Sequence, residues 1–326
     1  MNRHAMTAAI VLAAAATLVT GCSAATTGSS HTAQNPKTGP IAQESSTVDK
    51  AHWPSSTPRN GLAKGLSLPL EDYMQTYQDT VALDNGARDL QKKCMADYGL
   101  TITLPPAGST PPPNDNDANI ERRYGITDRD TAEKYGYGLP EYLVGNRQGA
   151  KLPTMTAEET EVFSGHTSLN PRDRNRAAAP ATFKGKKIHK NGCAGWADSQ
   201  VEGLDADFSL ASELNGQSLT QSLKEPAVQD VIAAWSTCMS GKGYTVETPY
   251  DADKVVPHID GAPSQDEIDV ALADIDCKKA TDLVKVWNDT ETAIQKQQIA
   301  DHRSELTKPK ERNASAVAAA KKVLAQ

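Results

Sequence analysis

Four of the nine tyrosines, Tyr124, Tyr135, Tyr137 and Tyr142, lie in the segment 122–142 beside Arg122 and Arg123. A tyrosine ring offers an apolar face with a polar tip, and an arginine fork grips carboxylates and phosphates through paired hydrogen bonds. Arg123, Tyr124, Tyr135, Tyr137 and Tyr142 are therefore the candidate ligand surface, suited to a glycan or an anionic wall polymer. The same rings equally suit the packing of an irregular insertion over helices. Two basic runs, Arg172–Arg176 and Lys184–Lys190, offer charge to acidic helix faces or to wall phosphates.

Other constellations fall short of chemistry. Asp115-Asn-Asp117-Ala-Asn119 opens like a calcium loop, but Ile120 and Ile126 stand where such a loop needs its turning glycine and its bidentate glutamate. Lys37-Thr38-Gly39 matches one element of penicillin-interacting enzymes, with no Ser-x-x-Lys to accompany it. His31 and His52 fall in a polar N-terminal stretch. His166, His189, His258 and His302 stand singly, with no neighbouring pattern that makes a base or a metal set. The sequence assigns no catalytic residue, no metal ligand and no cofactor.

The cysteines say more. There are five, an odd number. Residues 1–21 have a basic start at Arg3 and an apolar run from Ala8 to Val19, too short for a membrane-spanning helix of about 20 residues and fitting for a secretory signal. The run ends Leu18-Val19-Thr20-Gly21-Cys22, which resembles the bacterial lipobox. That resemblance implies cleavage before Cys22, acylation of its thiol and new N-terminus, and anchorage on the outer face of a bacterial cell membrane. Two or three acyl chains hold firmly at about 0.8 kcal/mol per buried methylene. Export also places the other cysteines in an oxidising compartment, where disulfides persist.

The elements that must carry these residues follow along the chain. Residues 22–66 are expected to be the acylated cysteine and a flexible Ser/Thr/Pro-rich tether, with an r.m.s. reach of roughly 35–40 Å. A disulfide-stapled, mainly helical domain is expected over 67–306, with an insertion at about 106–190 and a basic, Ala-rich tail over 307–326. The spacing of Leu70, Tyr73, Tyr77, Val81, Ala87, Leu90 and Cys94 predicts one helix, with Gly86 a potential kink and Gly99 a stop. A second helix is predicted from Pro226 to about Ser240, and a third from Ser264 to about Leu306, ending before Pro309. Shorter helices are predicted at Asp128–Tyr135, Thr156–Phe163 and Cys193–Val201.

An internal repeat organises the domain. Cys94-Met-Ala-Asp-Tyr-Gly-Leu-Thr-Ile-Thr-Leu-Pro105 aligns without gaps on Cys238-Met-Ser-Gly-Lys-Gly-Tyr-Thr-Val-Glu-Thr-Pro249, identical at five of twelve positions. The frame reads as a last helical turn, a glycine in the left-handed region and a short strand ended by proline. With Cys22 lipidated, four cysteines remain and allow three pairings. The repeat favours Cys94 with Cys193 and Cys238 with Cys277, one bridge in each helix-strand-helix half.

The run Leu68-Pro69-Leu70-Glu71-Asp72-Tyr73, the two Cys-Met-x3-Gly units, Arg123-Tyr124-Gly125, Tyr135-Gly136-Tyr137, Gly192-Cys193-Ala194-Gly195 and Asp276-Cys277-Lys278 resemble a group of secreted actinobacterial lipoproteins of unknown function. The resemblance spans roughly Leu68 to Leu306 and implies the architecture and the cellular address, with no catalytic residue to carry over. The net charge of −7 argues against a nucleic-acid partner. The expected class is a non-enzymatic binding or structural module of the cell envelope, held to the membrane by its acyl chains and partnered by wall glycan, anionic wall polymer or another envelope protein. The rival classes are a wall-acting hydrolase and a solute-binding lipoprotein.

Overall fold

The computed structural model describes residues 48, 50–109, 119–139, 153–201, 206–256 and 262–323. The signal segment, Cys22, Asp115, Asp117 and Tyr142 lie outside them, as does most of the expected tether. Among the described residues the chain is mainly helical, with one two-stranded hairpin and two disulfides.

The first half starts at α1 (Tyr77–Asp97), opened by a reciprocal cap. Thr76 Oγ1 accepts from Asp79 N at 3.1 Å, and Thr76 N donates to Asp79 Oδ2 at 3.4 Å. Beyond it come α2 (Arg129–Tyr135), α3 (Ala157–Ser164), the hairpin β1 (Thr182–Phe183) and β2 (Lys186–Lys187), and α4 (Gly192–Gln200). Cys193, in the first turn of α4, bonds Cys94 near the end of α1 with a Cα–Cα distance of 5.6 Å. Around that bridge Met95, Tyr98, Ile102, Val162 and Ile188 form a small apolar core.

The second half contains α5 (Ser209–Ser222), α6 (Pro226–Gly241), α7 (Gln265–Ala280) and α8 (Leu283–Asp301). Cys238 on α6 bonds Cys277 on α7 across 5.7 Å. The larger core lies here, built from Trp235, Trp287, Val228, Met239, Val270 and Leu283, and it takes in Tyr124 from the first half. A last helix, α9 (Arg303–Val323), returns to α1. Ala316, Val317 and Ala320 pack there on Ala82 and Leu83, and Gly86 leaves the room: a β-carbon at Gly86 would stand 3.0 Å from that of Ala320.

The repeat is physical. In each unit the C-M-x3-G glycine is left-handed, Gly99 at φ +72° and Gly243 at φ +95°. In each the next residue folds back onto the methionine carbonyl, Leu100 N to Met95 O at 3.1 Å and Tyr244 N to Met239 O at 3.0 Å. Two residues further on, Ile102 and Val246 are buried. The alternation of buried and exposed residues is therefore as expected, but neither segment pairs with a partner. Both run as extended chain without a ladder, because their buried residues pack on helices.

Four other expectations are corrected. The helix expected from Leu70 begins instead as a 3-10 turn at Pro69–Tyr73, with α1 starting at Tyr77. The long third helix is three helices, α7, α8 and α9, and the first break falls at Asp282 in the left-handed region at φ +55°. Helix α9 runs through Pro309 and takes up most of the expected tail. Residues from Lys50 onward are already placed: Trp53 donates its indole N–H to Gly108 O at 2.9 Å, Ala63 is buried, and Leu62 and Leu66 pack against the larger core. Averaging composition over the expected tether hides these few apolar anchors.

Candidate functional site

The segment 119–139 threads between α7 and α8, and its aromatic and basic side chains mostly point inward. Tyr124 is fully buried, with its ring centroid 5.2 Å from that of Trp287 and its hydroxyl donating to Glu291 Oε2 at 2.9 Å. Arg123 Nε donates to both oxygens of the same carboxylate, at 3.1 and 2.9 Å, and its Nη2 donates to Glu291 Oε1 and to the carbonyl of Asn215. Ser218 Oγ lies 2.6 Å from Glu291 Oε1. Gln295 extends the network, donating to Asn215 Oδ1 and Ser218 Oγ and accepting from Leu70 N at 2.9 Å. Glu291 thus has donors at both oxygens, which is what lets a carboxylate lie fully buried.

A second network stitches the same segment to α7. Asp274 accepts from Trp235 Nε1 at 2.9 Å, from Lys278 Nζ at 2.9 Å and from Tyr137 OH at 3.4 Å. Lys278 also donates to Ile126 O at 2.9 Å. Burial raises the Asp274 carboxyl and lowers the Lys278 ammonium, while their mutual attraction works against both shifts. Burial, with the Asp274 charge beside it, also raises the Tyr137 phenol. Gly125 and Gly136, both with positive φ, admit these contacts: a β-carbon at Gly125 would stand 2.6 Å from Lys278 Nζ, and one at Gly136 2.6 Å from Glu267 Oε1.

The proposed Tyr/Arg ligand surface is corrected accordingly. Tyr124 belongs to the core, Tyr137 is half-buried in the Asp274 network, and Tyr135 is half-buried at the end of α2. Tyr142 lies outside the described residues. Packing of the insertion over the helices accounts for Tyr124 and Tyr137. Among the described members of the group, Arg123 alone also lines a cleft.

That cleft, of about 460 Å³, opens between the Pro69–Tyr73 turn, the start of α1, α5 and the 119–123 strand of chain. Its wall carries Glu71, Tyr77, Asn119, Arg123, Asn215 and Tyr250, with Ile120, Leu219 and Met74 as apolar surface. Arg123 reaches the cleft with a side chain that is 14% exposed. Tyr250, 40% exposed, donates to Arg123 O at 2.6 Å and sets its ring edge-on to Trp287 at 5.7 Å. Glu71 accepts from Leu68 N at 3.2 Å. Burial pushes its carboxyl up to about 7, against the lowering effect of that hydrogen bond and of Arg123.

Sequence reasoning missed Glu71, Asn215, Tyr250 and Glu291. A readable signal existed for one of them: Asn288, Glu291 and Gln295 repeat at helical spacing in phase with Trp287, which marks polar groups on a buried face. Among the described residues no helix is long and apolar enough to cross a membrane, and no cluster of His, Cys, Asp and Glu could hold a metal ion. The two disulfides are those of a chain folded outside the reducing cytoplasm. No family model, curated protein or solved structure matches this chain.

Proposed function

We propose that the chain is a lipid-anchored envelope protein, held by Cys22 on the outer face of a bacterial cell membrane, whose cleft binds a hydroxyl-rich wall saccharide without cleaving it. The N-terminal signal pattern supports the address, and the two disulfides agree with it. The cleft supplies what sugar hydroxyls require. Asn215 and Arg123 offer polar groups to the cleft, and Tyr77 and Tyr250 add aromatic surface for the apolar face of a sugar ring. The volume falls within the roughly 300–1,000 Å³ of small-ligand sites.

One observation favours binding over hydrolysis. Glycoside cleavage uses two carboxyls flanking the scissile bond, whereas among the described residues Glu71 is the one carboxyl in the wall of this cleft. Its nearest rival, Glu291, is sealed behind Arg123, Tyr124 and Ser218. The test is titration of the purified full chain with soluble wall fragments. Tyr250→Ala and Asn215→Ala should each weaken binding about tenfold or more, the size of one or two lost contacts. Release of reducing sugar from wall material would instead establish a hydrolase. Cys22→Ser should abolish acylation, and a Cys22→Ser protein that stays in the membrane as a mature form would refute the anchor.

A further inference from the structure

Residues 165–192 hold three arginines between 172 and 176 and four lysines between 184 and 190, against the single acid Asp173. The whole chain is net −7, so the rest of it is more acidic than the total, and the molecule's charge is segregated. None of these seven cations forms an ion pair with a described residue. All but the half-buried Arg176 are exposed.

The platform beneath the lysines is ordered. Ile188 is buried beside the Cys94–Cys193 bridge, and Ile188 N donates to Ala181 O at 3.0 Å. Tyr98 OH donates to Lys187 O at 2.7 Å. Lys186 lies over the Tyr98 ring at 4.7 Å, and Lys184 lies over the Phe183 ring at 5.0 Å. At the hairpin tip, Lys184 and Gly185 both have positive φ, +46° and +79°, between the closing pair Phe183 and Lys186. Asn or Gly fits the first position of such a turn with less strain than lysine. The hairpin therefore carries a cation at its apex against local backbone preference.

We propose that this basic face of the first half docks a phosphodiester polymer, a strand bearing one negative charge per repeat. Lys186 Nζ donates to Asp97 O at 3.2 Å, but none of the hairpin ammonium groups is ion-paired with a described residue, so they can meet regularly spaced phosphates, and the arginines close by in sequence add forked donors. A thin strand can reach these lysines alone. A flat anionic bilayer would also approach the rest of the chain, which is net acidic and would be repelled by it. This surface lies apart from the cleft residues and does not depend on saccharide binding there.

The test uses the full chain in a non-ionic detergent with fluorescein-labelled linear polyphosphate, read by anisotropy. Affinity should fall steeply as salt rises. Replacing Lys184, Lys186, Lys187 and Lys190 together with Gln should cost about a hundredfold or more at low salt, whereas replacement with Arg should preserve binding. Lys184→Asn should raise the melting temperature yet bind several-fold more weakly, an opposition that a purely structural lysine would not produce. Saccharide binding in the cleft should be unaffected in all three variants. The proposal is overturned if the four-Gln variant binds polyphosphate like the natural chain, or if doping the micelles with phosphatidylglycerol displaces the polymer.

Discussion

Lys278 and Asp274 form an ion pair at 2.9 Å in which neither side chain reaches solvent. One helical turn apart on α7, they lock the 119–139 segment to the second half through Ile126 O and Tyr137 OH. Lys278→Met leaves Asp274 buried without its cation and should cost about 3–5 kcal/mol. The double variant Asp274→Leu, Lys278→Met removes both charges and should recover part of that loss. Urea unfolding of the two variants against the natural chain measures the difference.

Stability should respond to the protonation of Glu71. Its carboxyl sits at about 7 in the fold against an ordinary value of 4.5. Between those values the folded chain holds a proton that the unfolded chain has lost. Stability therefore falls as pH rises through that window and levels off above it. Glu71→Gln should remove this component and be more stable than the natural chain at pH 8. The raised Asp274 carboxyl shifts stability in the same direction in both proteins, so the difference between their unfolding free energies across pH isolates Glu71. A difference that stays flat with pH would contradict the prediction.

The two repeat glycines offer a matched pair of substitutions. A β-carbon at either Gly99 or Gly243 would meet nothing within 4 Å. Replacement by Ala therefore tests backbone conformation alone, at a cost of about 1–2 kcal/mol in each half. Asn, which tolerates the left-handed region, should cost less at both positions. Thermal melts of the four variants check whether the halves respond alike, as equivalent helix ends should.

Removing each bridge should destabilise the chain by about 2–5 kcal/mol. The Cys94–Cys193 bridge closes a sequence separation of 99 and the Cys238–Cys277 bridge one of 39. Loop-closure entropy then makes loss of the longer one worse by about 0.8 kcal/mol. Guanidinium unfolding of the two double-Ala variants provides the comparison.

Signals confined to one stretch of chain were legible in the sequence. The C-M-x3-G frame marked both helix ends, the repeat favoured the cysteine pairing seen, and Thr156 with Glu159 marked the start of α3. Features that depend on distant partners were not legible. Arg123 meets Glu291 across 168 positions, so its role as a core residue had no local trace. The break between α7 and α8 has neither glycine nor proline to announce it, since Asp282 takes the left-handed position. Pro309 suggested a helix end, yet α9 continues through it and packs Ala316, Val317 and Ala320 against α1. The cleft drew its wall from five separate segments, and its aromatic lip, Tyr250, directly follows the repeat proline Pro249.

Both sulfur bridges close within a half, and neither joins one half to the other. The covalent graph is thus two closed loops on a single string. A protease cut anywhere between residues 194 and 237 would leave the halves joined only by non-covalent packing, so the fragments would part in denaturant even without a reducing agent. Each bridge can also be oxidised from its own half's cysteines without waiting for the other half, so export of the chain imposes no fixed order on sulfur pairing.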